Sequence, residues 1–187
     1  MESLEKLKGE LVHSRLIEIR SYAVDKERLL VEGVLKDERP CSMYTFSGQE
    51  REPGPVHGMS VQLLVGGMPS RILDAEAEMF KVPIEECREA AKSVKKLIGL
   101  PVVYGFSKEV KERLSGTAGC THLTSLVLTL GGAAVQGMAA HRGREPVTPE
   151  LREAMLGYMK NSCWVWREEG RAFREASAMT RKRPGGA

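Results

Sequence analysis

The chain has 187 residues, 42% of them apolar, and Lys plus Arg exceed Asp plus Glu by only 28 to 25. That is the size and composition of one soluble globular domain with room for a sizeable core. A formal charge of +3 and an aromatic content of 5% exclude the basic, aromatic-studded surface that a nucleic-acid partner asks for.

Residues 1–14 carry a short helical pattern through Leu4, Leu7 and Leu11. From Leu16 the pattern changes to alternation. Leu16, Ile17, Ile19, Tyr22 and Val24 predict one strand, and Leu29 to Lys36 a second, paired with it across Asp25-Lys26-Glu27. Arg39 to Val56 is rich in Pro, Gly, Ser and Glu and reads as a long loop. His57 then opens a third strand through Val61, Leu63 and Val65, and a turn over Gly66 to Ser70 leads into a fourth, Arg71 to Met79. On that strand Ile72 shares the alternation of Asp74, with Glu76 and Glu78 facing solvent.

Helical periods follow. Pro83 opens a segment in which Ile84, Cys87, Ala90, Ala91, Val94, Leu97 and Ile98 trace one stripe, closed by Gly99. Lys108 to Leu114 makes one or two turns. Gly116 and Gly119 let the chain bend before Cys120. Thr121 reads as the N-cap of a helix running to about Ala140, with Leu123, Leu126, Val127 and Leu130 on its core face. Thr148-Pro149-Glu150 starts another helix, with Leu151, Met155, Tyr158, Met159 and Trp166 on one face. Strands first and helices afterwards predict an α+β fold: an antiparallel sheet of three to four strands under packed helices, as one domain over 15–170, with a helix end and a disordered basic tail (Arg181, Lys182, Arg183) over 171–187.

No apolar run is expected to span a bilayer, no leader is evident, and the chain is expected to be cytoplasmic. Its four cysteines, Cys41, Cys87, Cys120 and Cys163, are too dispersed for a disulfide framework or a zinc ribbon. Cys120 stands at a helix N-terminus, where the dipole favours a thiolate. His122 follows two residues later, and where a loop enters a helix the two can converge. Thiolate and imidazole suit zinc or iron, so the candidate ligands are His57, Cys87, Cys120 and His122, with Cys163 a weaker one. Each has a plainer reading: Cys87 lies on an apolar stripe where buried cysteine is common, and His57 could be a surface residue. His13 and Cys41 have no evident partner.

The same residues also allow Cys120 to act as a metal-free nucleophile with a histidine base, for which Asp74 is the one strand acid in view. A third possibility is an interaction module with structural cysteines. The glycines at 131, 132 and 137 suit close helix packing, within one chain or in a homodimer. Neither reaction nor substrate is legible, so enzymatic activity is left open.

The segments HGMSVQLLV, RILDAEAEMFKVPIEEC and LIGLPVVYGFSKEVKERLSGTAGCTHLTSL resemble, in that order, a bacterial family catalogued as a domain of unknown function, number 2889. The resemblance runs from about Arg15 to Gly170 and implies no assigned activity. A more distant similarity is to iron-sulfur scaffold proteins of the NifU type, carried by Ile72, Asp74 and Ala75 and by a cysteine opening a later helix. It implies that His57, Cys87 and Cys120 converge at one end of the sheet, around an iron-sulfur cluster or a single ion. Cys87 lies later than the scaffold pattern has it, and Met59 replaces the scaffold aspartate.

Overall fold

The computed structural model describes residues 3–181; Lys182, Arg183 and the rest of the expected tail lie outside them. The fold is α+β. Four antiparallel strands, β1 (Ser14–Ala23), β2 (Arg28–Arg39), β5 (Gly54–Gly66) and β6 (Arg71–Lys81), form a sheet in the order β1-β2-β5-β6. Asp25 makes the first turn, its Oδ1 accepting from the backbone N–H of Glu27 at 3.0 Å and of Arg28 at 2.9 Å.

The sheet is one-sided because its strands alternate. Leu29, Val31 and Leu35 of β2 and Met59, Val61, Leu63 and Val65 of β5 are buried. Against them lie Val94 and Leu97 of a 3₁₀ helix (Glu85–Leu97), Val110 and Leu114 of α1 (Phe106–Leu114), and Leu123, Leu126, Val127 and Leu130 of α2 (Thr121–Arg142). Each such side chain contributes about 1.5–3 kcal/mol on burial. Gly33 lets α2 sit flush: a Cβ there would lie 3.0 Å from Leu126 Cδ1 and from Leu130 Cδ2. By length and composition α2 is apolar enough to cross a membrane, contrary to the expectation that no such run exists. Its buried face, Leu123, Leu126, Val127 and Leu130, is the one seated on the sheet.

Several local expectations are corrected. The N-terminal helix is a single 3₁₀ turn, Leu4–Leu7, with both leucines exposed. The long loop contains a two-residue ladder, β3 (Met43–Tyr44) with β4 (Glu50–Arg51). Its base is held by Arg39, whose guanidinium donates to the carbonyls of Cys41, Arg51 and Glu52. On β6 the register shifts between the pairs Leu64–Asp74 and Val65–Ile72. Leu73 is thus an extra residue, and the bulge puts Ile72 in the core and Asp74 outside instead of on one face. The segment after Pro83 is 3₁₀, not α, from Glu85. Three-residue spacing is common to both periods, so Val94 and Leu97 are buried while Ile84 and Ile98 are exposed.

The chain divides into two compact units, Met1–Gly137 and Met138–Ala187, the boundary falling inside α2. In the second unit Thr148 Oγ1 accepts from the Leu151 N–H at 3.2 Å and caps α3 (Pro149–Met159). Trp166 is not on that helix: the chain turns at Asn161, which has a φ of 58°. Asn161 then donates its N–H to the Trp166 carbonyl at 2.9 Å before α4 (Arg171–Arg181) packs on α3.

Candidate metal centre

The inward alternation of three neighbouring strands ends in polar residues at one end of the sheet. Arg15 of β1 pairs with Asp37 of β2, and Asp37 with His57 of β5. Arg15, Asp37 and His57 therefore form one row on the face that is otherwise apolar. The register shifts immediately beyond it, between Asp37 and Glu38, so regular pairing stops where the site begins.

Asp37 is the centre of this row, with its side chain 1% exposed. Arg15 binds it with two parallel bonds, Nε to Oδ1 and Nη2 to Oδ2, both 2.7 Å. This forked, charge-assisted arrangement holds the Asp37 carboxyl below its usual range, against the opposing effect of burial. His57 Nδ1 lies 3.0 Å from Oδ2. Because an ionised carboxylate only accepts, the proton of that bond sits on Nδ1; in the neutral ring Nε2 then carries the lone pair.

The start of α2 brings in a second imidazole. His122 Nε2 lies 3.8 Å from Asp37 Oδ2, and its ring centroid is 3.8 Å from that of His57, tilted by 31°. Burial, then the neighbouring His57 and Arg15, push the His122 pKa down, so the neutral, ligand-competent ring is favoured. Cys120 Sγ stands 3.7 Å from the other ring nitrogen, Nδ1. His13, more exposed, has Nε2 3.8 Å from Asp37 Oδ1.

Thr124 fixes this helix start. Its hydroxyl lies 3.0 Å from the Leu114 carbonyl and 2.9 Å from that of Cys120. The Cys120 carbonyl also accepts from the Thr124 N–H at 2.8 Å. Cys120, not Thr121, is therefore the N-cap position. The two glycines before it act differently from one another. Gly116 has a φ of 60° and needs left-handed backbone, whereas Gly119 is extended at −175°. What Gly119 supplies is space: a Cβ would lie 2.6 Å from the Leu114 carbonyl oxygen.

Ligand atoms of Asp37, His57 and His122 all fall within 4.8 Å of one another, the one such group among the described residues. Of the four ligands expected, His57 and His122 are brought together, and Cys120 lies behind His122. Cys87 sits half-buried in the 3₁₀ helix and Cys163 is exposed on the surface. Asp37, Arg15 and His13 were not in the expected set. His13 belongs to the approach to β1, not to a helix. The acid beside Cys120 and His122 is Asp37, not Asp74, which lies exposed on β6 and pairs with Lys95 at 2.9 Å.

The family described as Protein of unknown function (DUF2889) matches residues 13–136, and the chain belongs to it. The match takes in every residue of this centre and stops one residue short of the boundary between the two units. No curated protein and no solved structure matches the chain.

Proposed function

We propose that this member of the family binds one transition-metal ion, zinc or iron, through His57, His122 and Asp37. The observation that carries the reading is the convergence of these three side chains from β5, α2 and β2 onto a patch less than 4.8 Å across. Ligand atoms about 2.1 Å from a tetrahedral ion are roughly 3.4 Å apart. The separations from Asp37 Oδ2, 3.0 Å to His57 and 3.8 Å to His122, bracket that value. Two imidazoles and one carboxylate suit zinc or iron and leave coordination positions open. The set contains no thiolate, so a single ion fits it better than an iron-sulfur cluster, which is held mostly by cysteines. The reading stands without the NifU-type resemblance.

The protein's own residues have definite parts in this arrangement. Arg15 keeps Asp37 ionised, and burial keeps His122 neutral. If Nδ1 of His57 becomes the ligand, its proton moves to Nε2 with no net release; because a protonated imidazole cannot bind a metal, uptake by the two histidines weakens as the pH falls. The bound ion would supply a Lewis acid at its open positions.

Elemental analysis of protein purified without chelators tests the proposal. About one zinc or iron per chain, lost in both His57→Ala and His122→Ala with the circular dichroism unchanged, is the expected result. A native chain that is metal-free and takes up neither ion on titration would sink it.

One observation favours a second reading, the 3.7 Å approach of Cys120 Sγ to His122 Nδ1. In that reading His122 accepts the thiol proton, Asp37 orients the ring, and Cys120 attacks an electrophilic carbon. Alkylation separates the two. Under the metal reading Cys120→Ser keeps the ion; under the nucleophile reading Cys120 of metal-free protein reacts with iodoacetamide faster than the exposed Cys163, and His122→Ala removes the difference.

A further inference from the structure

The sheet has two edges, and they are treated differently. β6 carries two register shifts. Its first residues are also tied to the chain at 99–102: Gly99 N–H donates to the Ile72 carbonyl at 2.8 Å, Ile72 N–H to Leu100 at 3.0 Å, and Val102 N–H to Ser70 at 2.8 Å. Bulges and covering segments are the usual means of closing an edge to further pairing. Among the described residues, the opposite edge, β1, has neither a register shift nor a backbone hydrogen bond to a covering segment. It runs for ten residues without proline or glycine and pairs with β2 without a register shift. All of its residues are exposed except Ile17 and Ile19, which are only half-buried although they lie on the core face.

We propose that β1 pairs antiparallel with β1 of a second copy of this chain, about a two-fold axis through Ile19. The register follows from the sequence. Residues directly opposite in an antiparallel pair share a face, so core face meets core face only if the paired numbers have an even sum. With Ile19 opposite Ile19 of the second copy, Glu18 faces Arg20, Leu16 faces Tyr22, and Ile17 faces Ser21, each pair occurring twice. Moving the axis to Glu18 sets two glutamates against each other, and moving it to Arg20 sets two arginines. Cross-strand partners of opposite charge, and of aliphatic with aromatic character, stabilise a ladder, while like charges directly opposite weaken it. Within one chain Glu18 and Arg20 bond along the strand at 2.6 Å, so both side chains already stand on the face where the second copy would meet them. The product is one continuous eight-stranded sheet that covers Ile17 and Ile19 and carries two candidate metal centres.

Sedimentation velocity on the full chain, from micromolar concentrations upward, tests the inference, with circular dichroism to confirm that each variant is folded. The native chain is expected to sediment as a reversible dimer. Glu18→Arg and Arg20→Glu should each raise the dissociation constant about tenfold or more, because the repulsion occurs twice. The double variant should return it close to the native value, and amides of β1 should exchange more slowly in the dimer. A native chain that stays monomeric would overturn the proposal. So would a dimer indifferent to the single reversals, or one that the double reversal fails to restore.

Discussion

Asp37 and His57 face each other across β2 and β5, with His57 Nδ1 3.0 Å from Asp37 Oδ2, and the regular pairing of the two strands shifts immediately beyond them. The last regular rung of the ladder is thus also the first element of the candidate centre. Disturbing either residue bears on stability and, under the proposed reading, on metal binding together.

Arg15 is the counter-charge of a buried carboxylate, and removing it should be costly. Arg15→Met is expected to destabilise the protein by about 2–3 kcal/mol, somewhat less than loss of a partner in a fully buried pair, because the guanidinium is 33% exposed. Urea denaturation at neutral pH measures this. A loss below about 0.5 kcal/mol, the range of ordinary surface substitutions, would show that water takes over the role of Arg15.

Acid should weaken the fold in two steps. The His122 pKa is depressed from 6.5, so the unfolded chain takes up its proton first. Stability that is full above pH 6.5 should fall as the pH drops from there through the native value. Asp37 is depressed from 3.8 by Arg15. Its contribution is full above that pH and is lost as the pH falls through the lower native value. Denaturant midpoints for His122→Gln should lack the first decline and keep the second. An unchanged profile in that variant would remove His122 as its origin.

Gly119 is required for space, and Gly119→Ala should therefore be disruptive where a looser turn would tolerate it. The new methyl meets the Leu114 carbonyl oxygen and, at 3.0 Å, Ser93 Oγ. Because a backbone atom cannot swing aside, the turn must move, at a cost of about 1–3 kcal/mol. Thermal melts give the loss. Metal titration of the same variant should show weaker binding, since Cys120 and His122 begin at that turn. A variant as stable as the native chain would mean that the turn relaxes freely.

The sheet was legible in the sequence because a one-sided antiparallel sheet writes its burial as alternation. Leu29, Val31 and Leu35, and Val61, Leu63 and Val65, mark its core face directly. The candidate centre was only half legible, and the reason lies in the same alternation. Followed outward, it runs from Leu35 to Asp37, from Ile17 to Arg15 and from Met59 to His57, each time ending in a polar residue on the core face. Stopping β2 at Lys36 hides Asp37 by one position. That the three endings fall in one row depends on strand register, which is set by a turn and a bulge and has no residue-level signature. His122 and Cys120 were visible through their helix start. Cys87 has the residue chemistry of a ligand, but its 3₁₀ helix lies outside the group that Asp37, His57 and His122 form.

Under the proposed metal reading, the forked bond between Arg15 and Asp37 separates folding from loading. The buried carboxylate has its compensating charge from within the chain, so the sheet can close whether or not an ion is bound. The apoprotein should fold, survive purification and resemble the holoprotein by circular dichroism. Metal acquired late, or lost to a chelator during preparation, would then pass unnoticed in any assay that reports structure alone.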